Sequence, residues 1–450
     1  MDKVNIMIPR DVKFIIDILK NKGYEGYTVG GCVRDSILKR EPQDWDITTN
    51  ALPENTISIF KDKGIRVIET GLKHGTITIL INSIGYEVTT YRIEGEYSDN
   101  RHPDNVTFTT SLKEDLSRRD FTINAMAYND DNGLADHFCG IEDLKNKVIR
   151  CVGKADDRFK EDALRMLRAV RFSAQLGFQL EFEDLFISIK QNAHLIKNIS
   201  QERIREELCK ILICDKPSSG ILALKESNLL EYILPELMTC IGFNQQNIHH
   251  DKDVFSHVLA VLDNTPAKLE IRLAALLHDI GKPQCFTIDE NKTGHFYGHH
   301  KKSADISREI LKRLKFDNKT IDTVSLLVYE HMSKFDKIKT SSIKKFMSRV
   351  GVENLEDLFQ LQIADIKGAS KEFQDFSKIL DLKDKCQIIL DEKQPLSIKD
   401  LDINGRDLME SGIKQGKQIG EILNMLLEMV LEHPELNNKG KLIEIIKQRI

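Results

Sequence analysis

A chain of 450 residues is too long for one core and implies roughly three or four domains. Its 41% hydrophobic and 30% charged residues describe an ordinary globular protein, without a low-complexity tract or a clear internal repeat. The net charge of -5 neither demands nor excludes a nucleic-acid partner, because phosphate affinity follows a local basic stripe rather than the total.

The eight cysteines (Cys32, Cys139, Cys151, Cys209, Cys214, Cys240, Cys285, Cys386) include no CxxC pair, so they read as buried thiols in a reducing compartment. Met1 to Lys22 lacks a long apolar core, and nowhere do eighteen apolar residues run together. A cytoplasmic protein with no membrane partner is expected.

In chain order, Asp11 to Lys20 has helical spacing, and Tyr27-Thr28-Val29 is a short strand leading into Gly30 and Gly31. A short helix at Ser36 to Leu38 and a second strand carrying Asp44 and Asp46 follow. Residues two apart on a strand share a face, so both carboxylates aim at one point while Ile47 faces the other way. β-Branched runs at Ile65–Ile68, Gly75–Ile81 and Tyr86–Tyr91 predict an α+β domain with a mostly antiparallel sheet to about residue 150. From Asp156 onward apolar residues recur at three and four, as in Ala163, Leu164, Met166, Leu167 and Val170, which predicts an almost wholly helical remainder.

Glu87, on a later strand, could complete a cluster of three carboxylates with Asp44 and Asp46. Hard oxygen ligands of this kind suit Mg²⁺, which keeps positions open for substrate phosphates. Taken alone, the two aspartates are more often a solvated strand edge. Gly30 and Gly31 precede a helix start, where unhindered backbone N–H groups can cradle a triphosphate, and Arg34 adds charge. Together these parts describe nucleotidyl transfer.

The stretch GGCVRDSILKREPQDWDITT, residues 30–49, resembles the signature of the class II tRNA nucleotidyltransferases, the CCA-adding enzymes and their poly(A) polymerase relatives. The resemblance implies a DNA polymerase β-like fold, Asp44 and Asp46 as Mg²⁺ ligands, and Glu87 as the third carboxylate. A second family block runs from Arg118 to Ala127. In it Asp120 and Asn124, one helical turn apart, are expected to reach ribose hydroxyls, with Arg118 or Arg119 on phosphates.

In Glu161-Asp162-Ala163-Leu164-Arg165, Asp162 and Arg165 are expected to share a helix face. Such a pair is usually a surface ion pair of little worth. Yet one acceptor beside one donor fork matches what only cytosine and adenine offer, an amino donor next to an unprotonated ring nitrogen. Uracil and guanine would leave buried polar groups unpaired. The motif EDxxR is the family's protein template, which implies base reading by Asp162 and Arg165 with Glu161 orienting them. Arg168 and Arg171 continue that face, on phosphates or simply solvated. The polar stretch from Thr90 to Pro103 looks like the flexible loop of enzymes that add the final A, and Gly71 to Thr76 has the form typical of CCA enzymes rather than poly(A) polymerases.

Eight of the thirteen histidines fall between His249 and His331. His257, His278-Asp279 in the phrase LLHDIGKP, and Asp365 complete the H…HD…D pattern of the HD phosphohydrolase superfamily, implying a divalent metal of unspecified identity. A bare HD pair is weak evidence; the full pattern is strong. His299, His300 and His331 could serve a second ion or bind phosphate. Farther on, Asp400 to Gly405 and Gly412 to Gly420 resemble the C-terminal tRNA-binding domain of bacterial CCA enzymes.

The expected architecture is α+β: a polymerase β-like nucleotidyltransferase head with an antiparallel or mixed sheet over residues 1–150, an all-α neck over 151–245, an HD domain over 246–370 and a helical tail over 371–450. The expected activity is addition of C, C and A to tRNA from CTP and ATP, with release of pyrophosphate. The rivals are an enzyme adding only A, and an HD phosphohydrolase with a non-catalytic RNA-binding head.

Overall fold

The computed structural model describes residues 4–69, 71–95, 105–246, 252–333, 339–370, 372 and 374–448. The chain forms two compact units, Met1–Pro235 and Glu236–Ile450. The first holds residues expected as head and most of those expected as neck; residues 236–245 of the expected neck fall in the second unit, with the stretches expected as HD domain and tail. The expected loop falls largely on residues 96–104, and His249 and His250 on 247–251; both lie outside the described residues.

The first unit is built on a sheet of seven strands: β1 (Gly26–Val29), β2 (Ile47–Thr49), β3 (Val67–Ile68), β4 (Thr76–Ile81), β5 (Ile84–Thr90), β8 (Met126–Asn129) and β9 (Gly133–Asp136). A separate pair, β6 (Arg92–Glu94) and β7 (Val106–Phe108), forms a short antiparallel ribbon. The sheet order is β3-β4-β5-β2-β1-β8-β9. Every pairing in it is antiparallel except β2 with β5, so the sheet is mixed.

Local sequence explains the hairpin that delivers β5. Asn82 and Ser83 both take positive φ, 52° and 66°, the backbone of a two-residue turn that matches strand twist. The pairing of Ile81 with Ile84 fixes the register from there. Helix Arg10–Asn21 places Val12, Ile15, Ile16 and Leu19 on one stripe, and they pack with Ile47, Phe60, Ile77, Ile79 and Val88. A second apolar cluster gathers Tyr27, Val29, Tyr91, Leu116, Ala125 and Ala127. After the sheet come helices Ala155–Glu161, Leu164–Leu176 and Gln201–Leu212, the last two packed on each other.

Among the described residues, the regular structure of the second unit is helical apart from one short hairpin. Helices Val254–Asp263, Leu269–Leu277, His299–Arg313, Asn318–Glu330 and Val352–Gly368 bring their ends together around a buried polar cluster. Gly368 permits the closest of these approaches, since a Cβ there would meet Val261 Cγ2 at 2.7 Å and the His257 ring at 3.2 Å. The tail carries helices Gly405–Glu410 and Lys417–Glu432, the first opened by a reciprocal cap between Asn404 and Asp407. Among the described residues no helix is long and apolar enough to cross a membrane.

Candidate active site

The chain leaves β1 at Val29 and turns at Gly30, whose φ of +83° favours glycine. A Cβ there would lie 3.1 Å from Arg119 Nη1, so the bare backbone lets that guanidinium close over the turn. Helix Gly31–Ile37 begins at once, earlier than the short helix expected from Ser36, and its first-turn N–H groups have no partner within the helix.

Asp44 and Asp46 lie in extended chain just ahead of β2, not within it as the spacing had suggested. The alternation of sides persists nonetheless, because the Asp46 carbonyl accepts a hydrogen bond from the Val29 N–H at 3.0 Å. Ile47 pairs with Val88 in the parallel ladder, and extending that register back by one residue sets Asp46 beside Glu87. Ile47 and Val88 are buried, so the two carboxylates take the opposite, solvent-accessible side.

The Asp46 carboxyl is raised above its ordinary value by desolvation first; Arg119 opposes the shift, and Glu87 and Asp44 reinforce it. Three mutually repelling hard oxygen donors are a set that Mg²⁺ fits. They form an open set, because the groups whose ligand atoms lie within 4.8 Å of one another, among the described residues, belong to the second unit.

The two arginines of the second block have different work. Arg118 is spent on Asp115 Oδ1, 2.8 Å from Nη2, and Glu94 Oε1, 3.1 Å from Nη1. Arg119 reaches Asp115 Oδ2 only at 3.6 Å, and its Nε is buried without a hydrogen-bond partner. Burial lowers its pKa, which Asp115 and Asp46 resist. It is the arginine with donors left for a phosphate.

Asp120 and Asn124 are not one turn of an α-helix; Asp120 precedes a 3₁₀ turn at Thr122–Asn124. Their side chains bond each other, Asn124 Nδ2 donating to Asp120 Oδ1 at 3.2 Å. Arg168 grips Asp120 Oδ2 through Nε at 2.9 Å and Nη2 at 2.6 Å. Against the cost of burial, Arg168 holds that carboxyl down to about 2. Arg34 is buried too: it pairs bidentately with Asp35 at 2.8 Å per bond and donates to Asn124 Oδ1 at 2.6 Å. Arg34, Asn124, Asp120 and Arg168 thus form one interior network beside the glycine turn.

Asp162 and Arg165 do not share one helix. Helix Ala155–Glu161 ends at Asp162, which has extended φ and ψ of −142° and 104°, and the next helix starts at Leu164. Each member is held by a different partner. Arg203 clasps Asp162 through Nη1–Oδ1 at 3.2 Å and Nη2–Oδ2 at 2.8 Å. Arg165 bonds Glu161 Oε2, the Arg158 carbonyl at 3.2 Å and the Arg118 carbonyl at 3.3 Å. The break sets Asp162 and Arg165 on either side of a helix boundary, the carboxylate oriented by Arg203 and the guanidinium by Glu161.

Arg203 and Asp115 escaped the sequence reading as site residues. Asp115 lies three and four positions before Arg118 and Arg119, a spacing that could have revealed it. Arg203 is separated from Asp162 by 41 positions, and no local pattern signals that pair.

Comparison with known proteins finds relatives over nearly the whole chain. The poly A polymerase head domain matches residues 26–150, the probable RNA and SrmB-binding site of polymerase A matches 177–241, and the putative tRNA nucleotidyltransferase domain 2 matches 296–446. A CCA-adding enzyme of Ligilactobacillus salivarius is 37% identical over 96% of this chain and 95% of its own. The chain belongs to the CCA-adding enzyme family. Another CCA-adding enzyme, from Pediococcus pentosaceus, is 35% identical over 96% of this chain and 95% of its own. The solved CCA-adding enzyme of Bacillus stearothermophilus, in complex with CTP, superposes with a TM-score of 0.71 at 30% identity, covering 98% of this chain and 99% of that one. CCA-adding enzymes are tRNA nucleotidyltransferases.

In the second unit of this CCA-adding enzyme family member, His257, His278, Asp279, His299, His331 and Asp365 converge. His257 Nε2 is 2.9 Å from Asp365 Oδ1 and 3.5 Å from Asp279 Oδ2. His278 Nε2 is 3.2 Å from Asp279 Oδ2 and 3.7 Å from Asp365 Oδ1, and has no hydrogen-bond partner although buried. Lys282 Nζ approaches Asp279 Oδ2 at 2.7 Å and Gln245 Oε1 at 2.8 Å. Burial opposes charge on His278, yet Asp279 and Asp365 push it up to about 10; His331 goes the other way, down to about 3, through burial and the charge on His278. Imidazole and carboxylate donors around an interior point fit a first-row divalent metal.

Proposed function

We propose that this protein adds C, C and A to the 3′ end of tRNA, using CTP and ATP and releasing pyrophosphate. The reading rests above all on one observation: the likeness to CCA-adding enzymes extends over 96% of this chain for the Ligilactobacillus salivarius enzyme and over 98% for the Bacillus stearothermophilus structure. Asp44, Asp46 and Glu87 hold Mg²⁺. The metal, when bound, lowers the cost of the charge that develops on the α-phosphate and the leaving pyrophosphate. Arg119 binds the triphosphate across the Gly30–Gly31 turn, and the interior network of Arg34, Asp120, Asn124 and Arg168 fixes the wall against which the ribose lies. Asp162 accepts from the exocyclic amino group of C or A, Arg165 donates to the adjacent ring nitrogen, and Glu161 orients Arg165. Attack of the tRNA 3′ hydroxyl on the α-phosphate then forms the new phosphodiester.

Within the two units we assign the head to 1–150, the neck to 151–245, the metal-binding helices to 246–370 and a tRNA-binding tail to 371–450. A tRNA substrate and cysteines without disulfide spacing support a cytoplasmic enzyme. The deciding experiment offers tRNAs ending before C74, after C74 and after C75 to each nucleoside triphosphate separately. Extension by C, C and then A supports the assignment; extension only of the third substrate would show an A-adding enzyme.

A second reading has its own observation, the convergence of His257, His278, Asp279 and Asp365. These residues hold a divalent metal, and the unit is a phosphohydrolase. Asp44→Ala with Asp46→Ala should abolish nucleotide addition and leave the second unit's transition-metal content and phosphate release unchanged. Absence of phosphate release from phosphomonoesters and phosphodiesters by the metal-loaded protein would remove the hydrolase reading.

A further inference from the structure

One carboxylate oxygen beside the base-reading segment serves two guanidinia. Glu161 Oε2 accepts from Arg165 Nη1 and, at 3.0 Å, from Arg158 Nη1. Arg158 stands on helix Ala155–Glu161, three positions before Glu161 and seven before Arg165. Its carbonyl contributes as well, accepting from the Asp162 N–H at 3.2 Å and from Arg165 Nη1 at 3.2 Å. Both members of the base-reading pair therefore hang from this one residue, Asp162 through its backbone and Arg165 through its side chain.

The Arg158 side chain is built into the segment rather than laid over it. Its Nε is buried without a hydrogen-bond partner, a desolvation cost that a solvated surface pair does not carry. The chemistry of the wrong bases says what this arrangement holds in check. Uracil and guanine present a ring N–H where cytosine and adenine present a bare nitrogen. To be accepted, they need a carboxylate oxygen at that position. Glu161 is the carboxylate beside Arg165. Two donors on its Oε2 fill the lone pairs of that oxygen and fix the direction of the group. Without Arg158, Glu161 loses one of these anchors and is able to turn toward the base.

We propose that Arg158 is a positioning residue for base selection, holding Glu161 away so that Asp162 is the carboxylate of the motif offered to the base. The role differs from that of Arg203. Arg203 sets the acceptor that cytosine and adenine need, whereas Arg158 withholds the acceptor that uracil and guanine need. The inference rests on the reading of Asp162 and Arg165 as the base-reading pair.

The test uses the full chain with tRNA ending before C74 and tRNA ending after C75, each offered the four nucleoside triphosphates separately in single turnovers. Arg158→Met removes the charge and keeps an unbranched side chain. It should lower the preference for CTP over UTP on the first substrate, and for ATP over GTP on the second, by about 10-fold. In a Glu161→Met background the same change should leave both ratios unmoved, because the acceptor that Arg158 restrains is gone. Arg158→Lys keeps one charged donor and should recover part of the preference. A purely structural role predicts instead that all four nucleotides lose incorporation in parallel with the melting temperature, at constant ratios; that result would overturn the proposal. An equal shift in the Glu161→Met background would overturn it too, since Arg158 would then act by another route. If the methionine variant does not fold, Arg158→Gln gives the same comparison. Failure of the unaltered chain to prefer CTP and ATP would remove the base-reading assignment itself.

Discussion

Arg203 and Asp162 form a two-bond clasp, Nη1 to Oδ1 at 3.2 Å and Nη2 to Oδ2 at 2.8 Å, across the break between two helices. The carboxylate that would read the base is thus oriented by a residue of another helix rather than by its own. Arg203→Ala should release Asp162 and blur the choice of base. Selectivity for CTP and ATP over UTP is expected to fall by about 10-fold or more, the range for losing a charged hydrogen bond. Arg203→Lys should not restore it, since an ammonium cannot reproduce the fork. Single-turnover incorporation of each nucleotide gives the measurement, and unchanged selectivity in Arg203→Ala would sink the idea.

Arg119→Ala should raise KM for both CTP and ATP equally, by roughly 10- to 100-fold, because a phosphate contact does not distinguish bases. Arg118→Ala should act differently. Its guanidinium is already occupied by Asp115 and Glu94, so its loss should lower the melting temperature more than it raises KM. Steady-state kinetics with thermal melts separates the two.

Gly30→Ala forces a side chain into a left-handed backbone and to 3.1 Å from Arg119 Nη1. With ψ at −130°, this sparsely populated backbone costs on the order of 1–3 kcal/mol for a residue carrying a Cβ. Denaturant unfolding should show that loss, and nucleotide affinity should fall with it because the displaced group is the arginine over the turn.

The pH dependence of stability should carry the signature of Asp120. Its folded-state carboxyl titrates at about 2 against an ordinary 3.8, so folding favours the ionised form. The contribution, about 2 kcal/mol, is complete above the unfolded value and is lost as pH falls from about 4 through about 2. Asp120→Asn should flatten the stability profile in that window and lower stability at neutral pH. Urea titrations between acid and neutral pH would reveal it; an unchanged acid limb would refute the pairing with Arg168 as its cause.

Much of this was legible in the chain itself, for reasons of range. The glycine turn, the alternation around Asp44 and Asp46, and the β-branched runs are local, and local periodicity reports local structure. The family likeness extended that reach. What stayed hidden depends on contacts distant in sequence or on one unusual backbone residue. Periodicity read Asp162 and Arg165 as one helical face because the apolar spacing on either side of the break is continuous. Likewise, Asp120 looked available to a ribose until Arg168, 48 positions away, took its carboxylate. The histidines carried the opposite lesson: their crowding between His249 and His331 signalled a cluster, but only geometry divides four of them between the two oxygens of Asp279, His257 and His278 at Oδ2 and His299 and His331 at Oδ1.

The parallel pairing of β2 with β5 has a consequence for how activity is acquired. Asp46 immediately precedes β2 and Glu87 lies in β5, strands joined by a long connection, and parallel neighbours cannot be closed by a tight turn. The hairpin of β4 and β5 can form early, being local, whereas β2 docks on β5 only once the intervening chain has been ordered. The carboxylates therefore meet at the end of sheet assembly. On the proposed role of these carboxylates, a partly folded chain would lack the metal site and could not extend RNA.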